Sequence, residues 1–448
     1  MTESQPKATV AIVGGATAGA EVAARLAERG IQVVVFDQNA KPFGKIEDGL
    51  PRWHEGLRNK EYANIQKKLS LPLVEFVPNT RIGEDIAFSD LVQEWGFTSV
   101  VLANGAWRDR PLPIEGSERY INKGLVYQNP FVIAFNHQDD SSWSGEIPEI
   151  IDGSIVVGGG LASIDVAKIV TLTCTQRALA ERNIHVDIVK LEIKGIPKTL
   201  AAHDLNWEEL GLEGCTIYYR RRLEDMPLIE IPGDADEARV EKIRKSRLTM
   251  LNKASEKFKL KVEPLSAPDE LLIENESVAG IRFRRTQIEG KRVISTDETY
   301  ERRGPVVLSS IGSIPEPIEG ISMKGELIDY SDWDYGRLED YPTVFSVGNI
   351  VTGKGNIVAS RKHASSVSQQ AIEVYLGIAD EEEGQDGPPL AADSFTEELA
   401  ASVSEHAQGQ PPISEAGYES LMNRVTRRQQ EVSYTGSLDS WLQGLTAS

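Results

Sequence analysis

Residues Ala8 to Asp37, ATVAIVGGATAGAEVAARLAERGIQVVVFD, leave this chain few folds to choose from. An apolar run of strand length, Ala8 to Val13, passes straight into Gly14-Gly15-Ala16-Thr17-Ala18-Gly19; an amphipathic helix follows, and a second apolar run ends at Asp37. Strand, glycine-rich turn, helix and strand in this order form a βαβ unit. The turn brings backbone N–H groups and the positive end of the helix dipole to one point, which suits a pyrophosphate. Gly14 permits the tight turn and Gly19 lets helix and strand pack closely. Asp37, 23 residues after Gly14, is placed to accept from a ribose hydroxyl. The candidate contacts of this dinucleotide site are Gly14, Ala16, Thr17, Ala18, Gly19 and Asp37. Ala16 departs from the fingerprint, standing where a middle glycine lets the backbone approach the phosphates.

Residues Gly153 to Lys168, GSIVVGGGLASIDVAK, repeat the pattern. Strand Ile155 to Val157 enters Gly158-Gly159-Gly160-Leu161-Ala162-Ser163 and a helix follows at once, with Ser163 where a third Gly or Ala is usual. Gly158, Gly160, Leu161 and Ala162 are the candidate contacts. Two fingerprints on two βαβ units imply two different dinucleotides in one chain. The strand Thr216 to Tyr219 ends in Arg220-Arg221-Arg222, where the first unit has Asp37. An acid there accepts from a free 2′-hydroxyl, whereas Arg220 and Arg221 suit a 2′-phosphate, so the second site favours NADPH over NADH. The alternative for the arginines is a plain basic surface cluster.

Composition narrows the chemistry. The two cysteines, Cys174 and Cys215, form no C-x-x-C, so neither a redox dithiol nor a resident iron–sulfur cluster is expected. The six histidines show no metal-ligand spacing, and no metal site is expected. No apolar run of about 18 residues exists, so no transmembrane helix is expected. The first strand begins so soon after Met1 that a signal peptide has no room, and the expected location is cytoplasmic. A net charge of -20 argues against nucleic acid as a partner. That charge is uneven: Ile378 to Ser448 is strongly acidic, whereas Arg239 to Lys261 carries nine basic residues against Glu241 and Glu256.

Further along the chain, Pro42-Phe43-Gly44 reads as a loop, followed by Asp48-Gly49-Leu50-Pro51-Arg52-Trp53-His54. Strand Ser99 to Ala103 ends in Asn104-Gly105-Ala106, where Gly105 allows close approach of something bulky. A helical insertion is expected around Val170 to Leu212, and Leu271 to Arg285 with Lys291 to Tyr300 reads as a small antiparallel excursion. Thr343 to Val347 leads to Gly348-Asn349, and Gly353 to Ile357 opens a helix to Tyr375. Beyond Gly377 the pattern predicts a linker and two amphipathic stretches, Ser394 to Glu405 and Glu415 to Val432.

This order of features resembles the two-dinucleotide flavoproteins, most closely the adrenodoxin reductase-like ferredoxin-NADP reductases together with the small, NADPH-oxidising subunit of glutamate synthase. The likeness runs from about Val10 to Gly377. Pro42-Phe43-Gly44 with Gly49 and His54 looks like the family's flavin-loop motif, and Asp165 falls on the aspartate placed near that histidine. Tyr219-Arg220-Arg221 with Met226-Pro227 resembles a stretch of the glutamate synthase subunit, and Gly348 with Gly355 to Ile357 is similar to the closing flavin contact. The resemblance implies an α/β chain of two Rossmann-like domains: an FAD domain of residues 1–115 and 320–378, split by an inserted NADPH domain of residues 116–319, with an acidic, partly helical extension of residues 379–448.

It also implies that Gly44, Gly348, Asn349, Gly355, Asn356 and Ile357 join the FAD contacts, and that hydride passes from NADPH to FAD. His54 and Asp165 are then a candidate hydrogen-bonded pair beside the flavin; the alternative is that His54 merely packs against the loop. Electrons leave to an iron–sulfur protein such as a ferredoxin, docking near Arg239, Arg244, Lys245 and Arg247. Asn349 stands where relatives have Trp or Asp, and the cysteine-rich N-terminal domain of the glutamate synthase subunit is absent, which leaves the acceptor open. The rival readings are a permanent subunit of a larger complex, a small-molecule flavin oxidoreductase and a non-catalytic scaffold.

Overall fold

The strand that carries the first fingerprint, Thr9–Val13, sits at the centre of a five-stranded parallel sheet in the computed structural model, which describes residues 8–140, 143–353, 355–378 and 413–447. The sheet order is Val344–Ser346, Ser99–Leu102, Thr9–Val13, Gln32–Phe36, Val74–Val77. Every residue of Thr9–Val13 and Gln32–Phe36 is buried, which is why, after Thr9 and Gln32, both run apolar without alternation. Helix Thr17–Glu28 packs against helix Ile357–Val367. Ala11, Val34, Phe36, Val77 and Val100 form one core with Leu421 and Val425 of a C-terminal helix, Glu415–Glu431.

The second fingerprint strand, Ile155–Gly158, is likewise central in its own five-stranded parallel sheet, ordered Leu125–Tyr127, Val307–Ser310, Ile155–Gly158, Thr216–Tyr218, Lys261–Glu263. Helix Leu161–Ala180 follows it and is buried along most of its length. The antiparallel excursion has three strands, Ser266–Glu274, Ser277–Glu289 and Arg292–Arg303. Its first hairpin turns at Asn275 and Glu276, both at positive φ (49° and 62°), the backbone that a two-residue hairpin needs.

The described residues divide into two units, one drawn from Met1–Glu47, Gly56–Arg108 and Ser313–Ser448, the other from Asp48–Glu55 and Asp109–Gly312. The short stretch Asp48–Glu55, with His54, clusters with the second unit. The expected stretch Ser394 to Glu405 and the linker before it lie outside the described residues. Glu415 to Val432 is a helix over Glu415–Glu431, its start capped by Ser414 Oγ, which accepts from Gly417 N at 3.1 Å. Helix Leu438–Ala447 follows. Among the described residues no helix is long and apolar enough to cross a membrane.

Candidate cofactor sites

In the first unit the turn after Thr9–Val13 folds as its glycines require. Gly14 takes φ +101°, and a Cβ there would lie 2.7 Å from Ala103 O. A Cβ on Gly19 would fall 1.8 Å from Gly14 O, so helix and turn are in contact. No side chain caps the helix at Ala16, which leaves the first-turn N–H groups of Thr17 and Ala18 facing the mouth of the turn. Asp37 Oδ2 accepts from Gly15 N at 2.8 Å and its Oδ1 from Asn39 N at 2.9 Å. The acid thus braces the turn through both of its oxygens. Ala16, the departure from the fingerprint, is matched elsewhere: a Cβ on Gly44 would lie 3.0 Å from the Ala16 methyl.

Two more segments reach the same mouth. Gly105 has open space around it, and Asn104 Oδ1 is buried without a hydrogen-bond partner. A Cβ on Gly348 would meet the Ala18 methyl at 2.7 Å, so Gly348 lies against the fingerprint helix. Gly348 N donates to His363 Nδ1 at 3.0 Å, and burial holds His363 below its ordinary pKa, keeping that nitrogen an acceptor. Asn349 Oδ1 is also buried and unpartnered. Gly355 and Asn356 are exposed. Asn356 Oδ1 accepts from Ala359 N at 2.6 Å, capping the helix that Ile357 begins. Two orphaned acceptors, an uncapped helix start and glycines without room for a side chain fit a bound dinucleotide with a polar ring system.

In the second unit, a Cβ on Gly158 would collide with Ser310 O at 2.2 Å, while Gly160 has nothing within 4 Å of a Cβ position. Helix Leu161–Ala180 starts at Gly160 with no side-chain cap, and Leu161 is exposed beside Ala162 at its mouth. Ser163, in place of the third glycine, is buried and donates to Ser310 O at 3.0 Å, tying the helix to the neighbouring strand. Arg220 is exposed and makes no salt bridge among the described residues. Arg221 donates to Lys291 O at 3.2 Å, with Asp225 3.9 Å away. The backbone beneath them is fixed by Thr286 Oγ1, which donates to Arg220 O at 2.8 Å. Cationic groups therefore stand on a rigid strand end beside an open helix start.

His54 and Asp165 come together within this unit. His54 Nε2 lies 3.5 Å from Asp165 Oδ2, an ion-pair distance, but the geometry makes no hydrogen bond and Nε2 is buried without a partner. The hydrogen bond expected between them is therefore not formed. Sequence reasoning missed Lys168, 7% exposed, whose Nζ lies 3.3 Å from Asp165 and 2.8 Å from Glu192. The same ammonium stands 4.7 Å from the Trp53 ring centroid, next to His54. The signal was present: Lys168 is three residues after Asp165, on the same helix face. The segment bearing His54 is held by Asn136, whose amide donates to Asp48 O and Leu50 O at 3.0 and 2.9 Å.

The basic stretch forms helix Glu237–Phe258, and one of its expected docking residues is turned inward. Arg247 is 6% exposed; it donates to Ile229 O at 2.9 Å and Glu224 O at 3.2 Å. With Leu251 and Phe258 it makes the buried stripe of the helix, where carbonyls rather than water satisfy the guanidinium. Arg244 faces Asp225 at 3.6 Å. Arg239, Lys242, Lys245 and Lys253 are exposed at spacings that share one face. Cys174 and Cys215 are buried, and burial pushes the Cys174 thiol up to about 11 and that of Cys215 higher still.

Residues 8–194 match the pyridine nucleotide-disulphide oxidoreductase family. The chain is 25% identical over 407 residues to the mitochondrial NADPH:adrenodoxin oxidoreductase of Arabidopsis thaliana, an alignment covering 81% of each. It is 32% identical over 164 residues to the glutamate synthase [NADPH] small chain of Bacillus subtilis, covering 35% of this chain and 31% of that one. Its fold matches Mycobacterium tuberculosis FprA in complex with NADPH with a TM-score of 0.64, at 21% identity, over 94% of this chain and all of the other.

Proposed function

We propose that this chain, an FAD- and NADP(H)-dependent oxidoreductase like the adrenodoxin reductases it resembles, passes electrons from NADPH through FAD to an iron–sulfur protein such as a ferredoxin. The observation that carries the reading is the duplication of one device. Two parallel sheets each place a glycine-rich turn and an uncapped helix start at their centre, one followed by Asp37 and the other by Arg220 and Arg221. When bound, NADPH supplies a hydride, and FAD accepts it and releases electrons singly.

In this reading the N–H groups of Thr17 and Ala18 hold the FAD pyrophosphate, and Asp37 takes the ribose. Asn104, Gly105, Gly348, Asn349 and the helix start at Gly355 to Ile357 serve the flavin end, where the helix dipole favours negative charge. Gly158 to Ala162 hold the NADPH pyrophosphate, and Arg220 with Arg221 takes its 2′-phosphate. His54 and Asp165 hold or move a proton during transfer. Arg239, Lys242, Lys245 and Lys253 offer an acidic partner a complementary face on an otherwise acidic protein. Anaerobic addition of NADPH to the purified protein should bleach a flavin spectrum. A colourless protein, or a flavin that NADPH leaves oxidised, refutes the proposal.

A further inference from the structure

The loop that carries Asp37 has little structure of its own, and a distant part of the chain grips it. Asp37 O accepts from Thr80 N at 2.8 Å, Asp37 N donates to Val77 O at 3.0 Å, and Asn39 O accepts from Asn79 N at 3.3 Å. The loop therefore rests on the turn that follows strand Val74–Val77. That turn is in turn held by Arg428 of helix Glu415–Glu431. Its Nε donates to Thr80 Oγ1 at 2.9 Å and its Nη2 to Asn79 O at 3.1 Å, while Asp85 pairs with it at 3.2 Å. From the other side Trp441 Nε1 donates to Ala40 O at 2.7 Å, three residues after Asp37.

The grip is built, not incidental. Leu421 and Val425 are fully buried in the core beneath the sheet. Gln429 Nε2 donates to Phe76 O at 3.0 Å, and Tyr434 bridges the rings of Phe76 and Trp441, with centroids 5.8 and 5.5 Å apart. Arg428 and Trp441 are thus fixed by their own neighbours while each bonds the backbone or turn next to the ribose acid.

We propose that the two C-terminal helices are a clamp on the adenosine end of the FAD site, with Arg428 and Trp441 as positioning residues that set how long FAD stays bound. The inference rests on the assignment of FAD to the first unit. The clamp belongs to the same chain, so docking is intramolecular and needs no partner concentration. Its action is on Asp37 through the loop, since Arg428 bonds Thr80 and Asn79 and Trp441 bonds Ala40 O. A clamp of this kind controls how fast FAD is released.

The test uses full-length Arg428→Ala, Trp441→Phe and their double variant, with Arg424→Ala as the control, because Arg424 bonds Glu94 O and not the loop or the turn beneath it. FAD release is followed by the rise of free-flavin fluorescence after dilution, and the melting temperature is taken with and without FAD. Each variant should release FAD roughly fivefold to tenfold faster, the double variant faster again, and Arg424→Ala at the wild-type rate. A merely structural role lowers both melting temperatures equally and leaves release unchanged, which overturns the clamp. Trp441→Phe keeps an aromatic ring beside Tyr434 but loses the indole N–H that bonds Ala40 O, so it reads out even where Arg428→Ala loosens the helix. Wild-type protein that binds no FAD overturns the cofactor assignment, and the clamp with it; wild-type retention combined with wild-type release in the double variant overturns the clamp alone.

Discussion

Lys168 Nζ lies 3.3 Å from Asp165 Oδ1, while the other oxygen of that carboxylate faces His54 Nε2 at 3.5 Å. One carboxylate thus stands between a buried cation and a histidine. Glu192 is the second acid on the same ammonium, at 2.8 Å. Lys168→Met removes the charge and leaves two carboxylates facing each other without it. Breaking a buried pair in this way costs about 3–5 kcal/mol, so a clear loss of stability is expected in denaturant melts. Asp165→Asn leaves Lys168 its bond to Glu192 and should cost less. Equal stability of Lys168→Met and the wild type would show that the ammonium is compensated by water and not by the two acids.

His137 anchors the segment that leads to His54. Its Nε2 is 2.9 Å from Asp48 and its Nδ1 2.8 Å from Asp140. The hydrogen bond to Asp48, helped by that to Asp140, raises its pKa above the ordinary 6.5 against the opposing effect of burial. A raised folded-state pKa means that the protonated form is the stabilising one. The contribution is complete below about pH 6.5 and is lost as pH rises through the folded-state value. His137→Ala should therefore melt lower than the wild type in mild acid, and the gap should narrow in alkali. A gap that widens with pH would reverse the assignment.

Arg220 and Arg221 are expected to discriminate between the nicotinamide dinucleotides. Each charge-assisted contact is worth roughly 1.5–3 kcal/mol, so replacing either with Ala should weaken NADPH binding by about tenfold to a hundredfold. NADH affinity should hardly change, because NADH lacks the 2′-phosphate that the proposed site gives to the arginines. Calorimetric titration of both nucleotides checks this. Equal weakening of NADH binding would mean that the substitutions disturb the strand end held by Thr286.

Much of the two turns was legible because backbone geometry dictates the residue type. A strand that ends in a tight turn against a neighbouring carbonyl admits only glycine, and Gly14 and Gly158 stand at such points, while Gly19 sits in the following helix where a Cβ would meet Gly14 O. Features that depend on contacts between distant segments were not legible. The pairing of the Ala16 methyl with Gly44 joins two turns, and nothing local marks it. The inward turn of Arg247 was hidden because its helix has few apolar residues to set the phase, and a guanidinium satisfied by two carbonyls reads in sequence like any surface charge. The grip of Trp441 on Ala40 spans most of the chain and leaves no periodic trace.

The burial of Arg247 removes it from any docking face for an electron acceptor. If Arg239, Lys242 and Lys245 form the docking face, reversing these three to Glu should slow association with an acidic ferredoxin while transfer from NADPH to a small dye stays near normal. Lys245 is 75% exposed in its side chain, so its reversal leaves the helix packing intact. Arg247→Glu should instead destabilise the protein, because it sets a carboxylate against the carbonyls of Glu224 and Ile229. Electron transfer to the ferredoxin should also fall as salt rises, since the Debye length shortens from about 10 Å at 0.1 M to about 3 Å at 1 M. Flavin reduction by NADPH, measured by stopped flow over the same range, should change far less. Ferredoxin reduction that ignores both salt and the three reversals would make this helix an ordinary solvated face and move the docking site elsewhere.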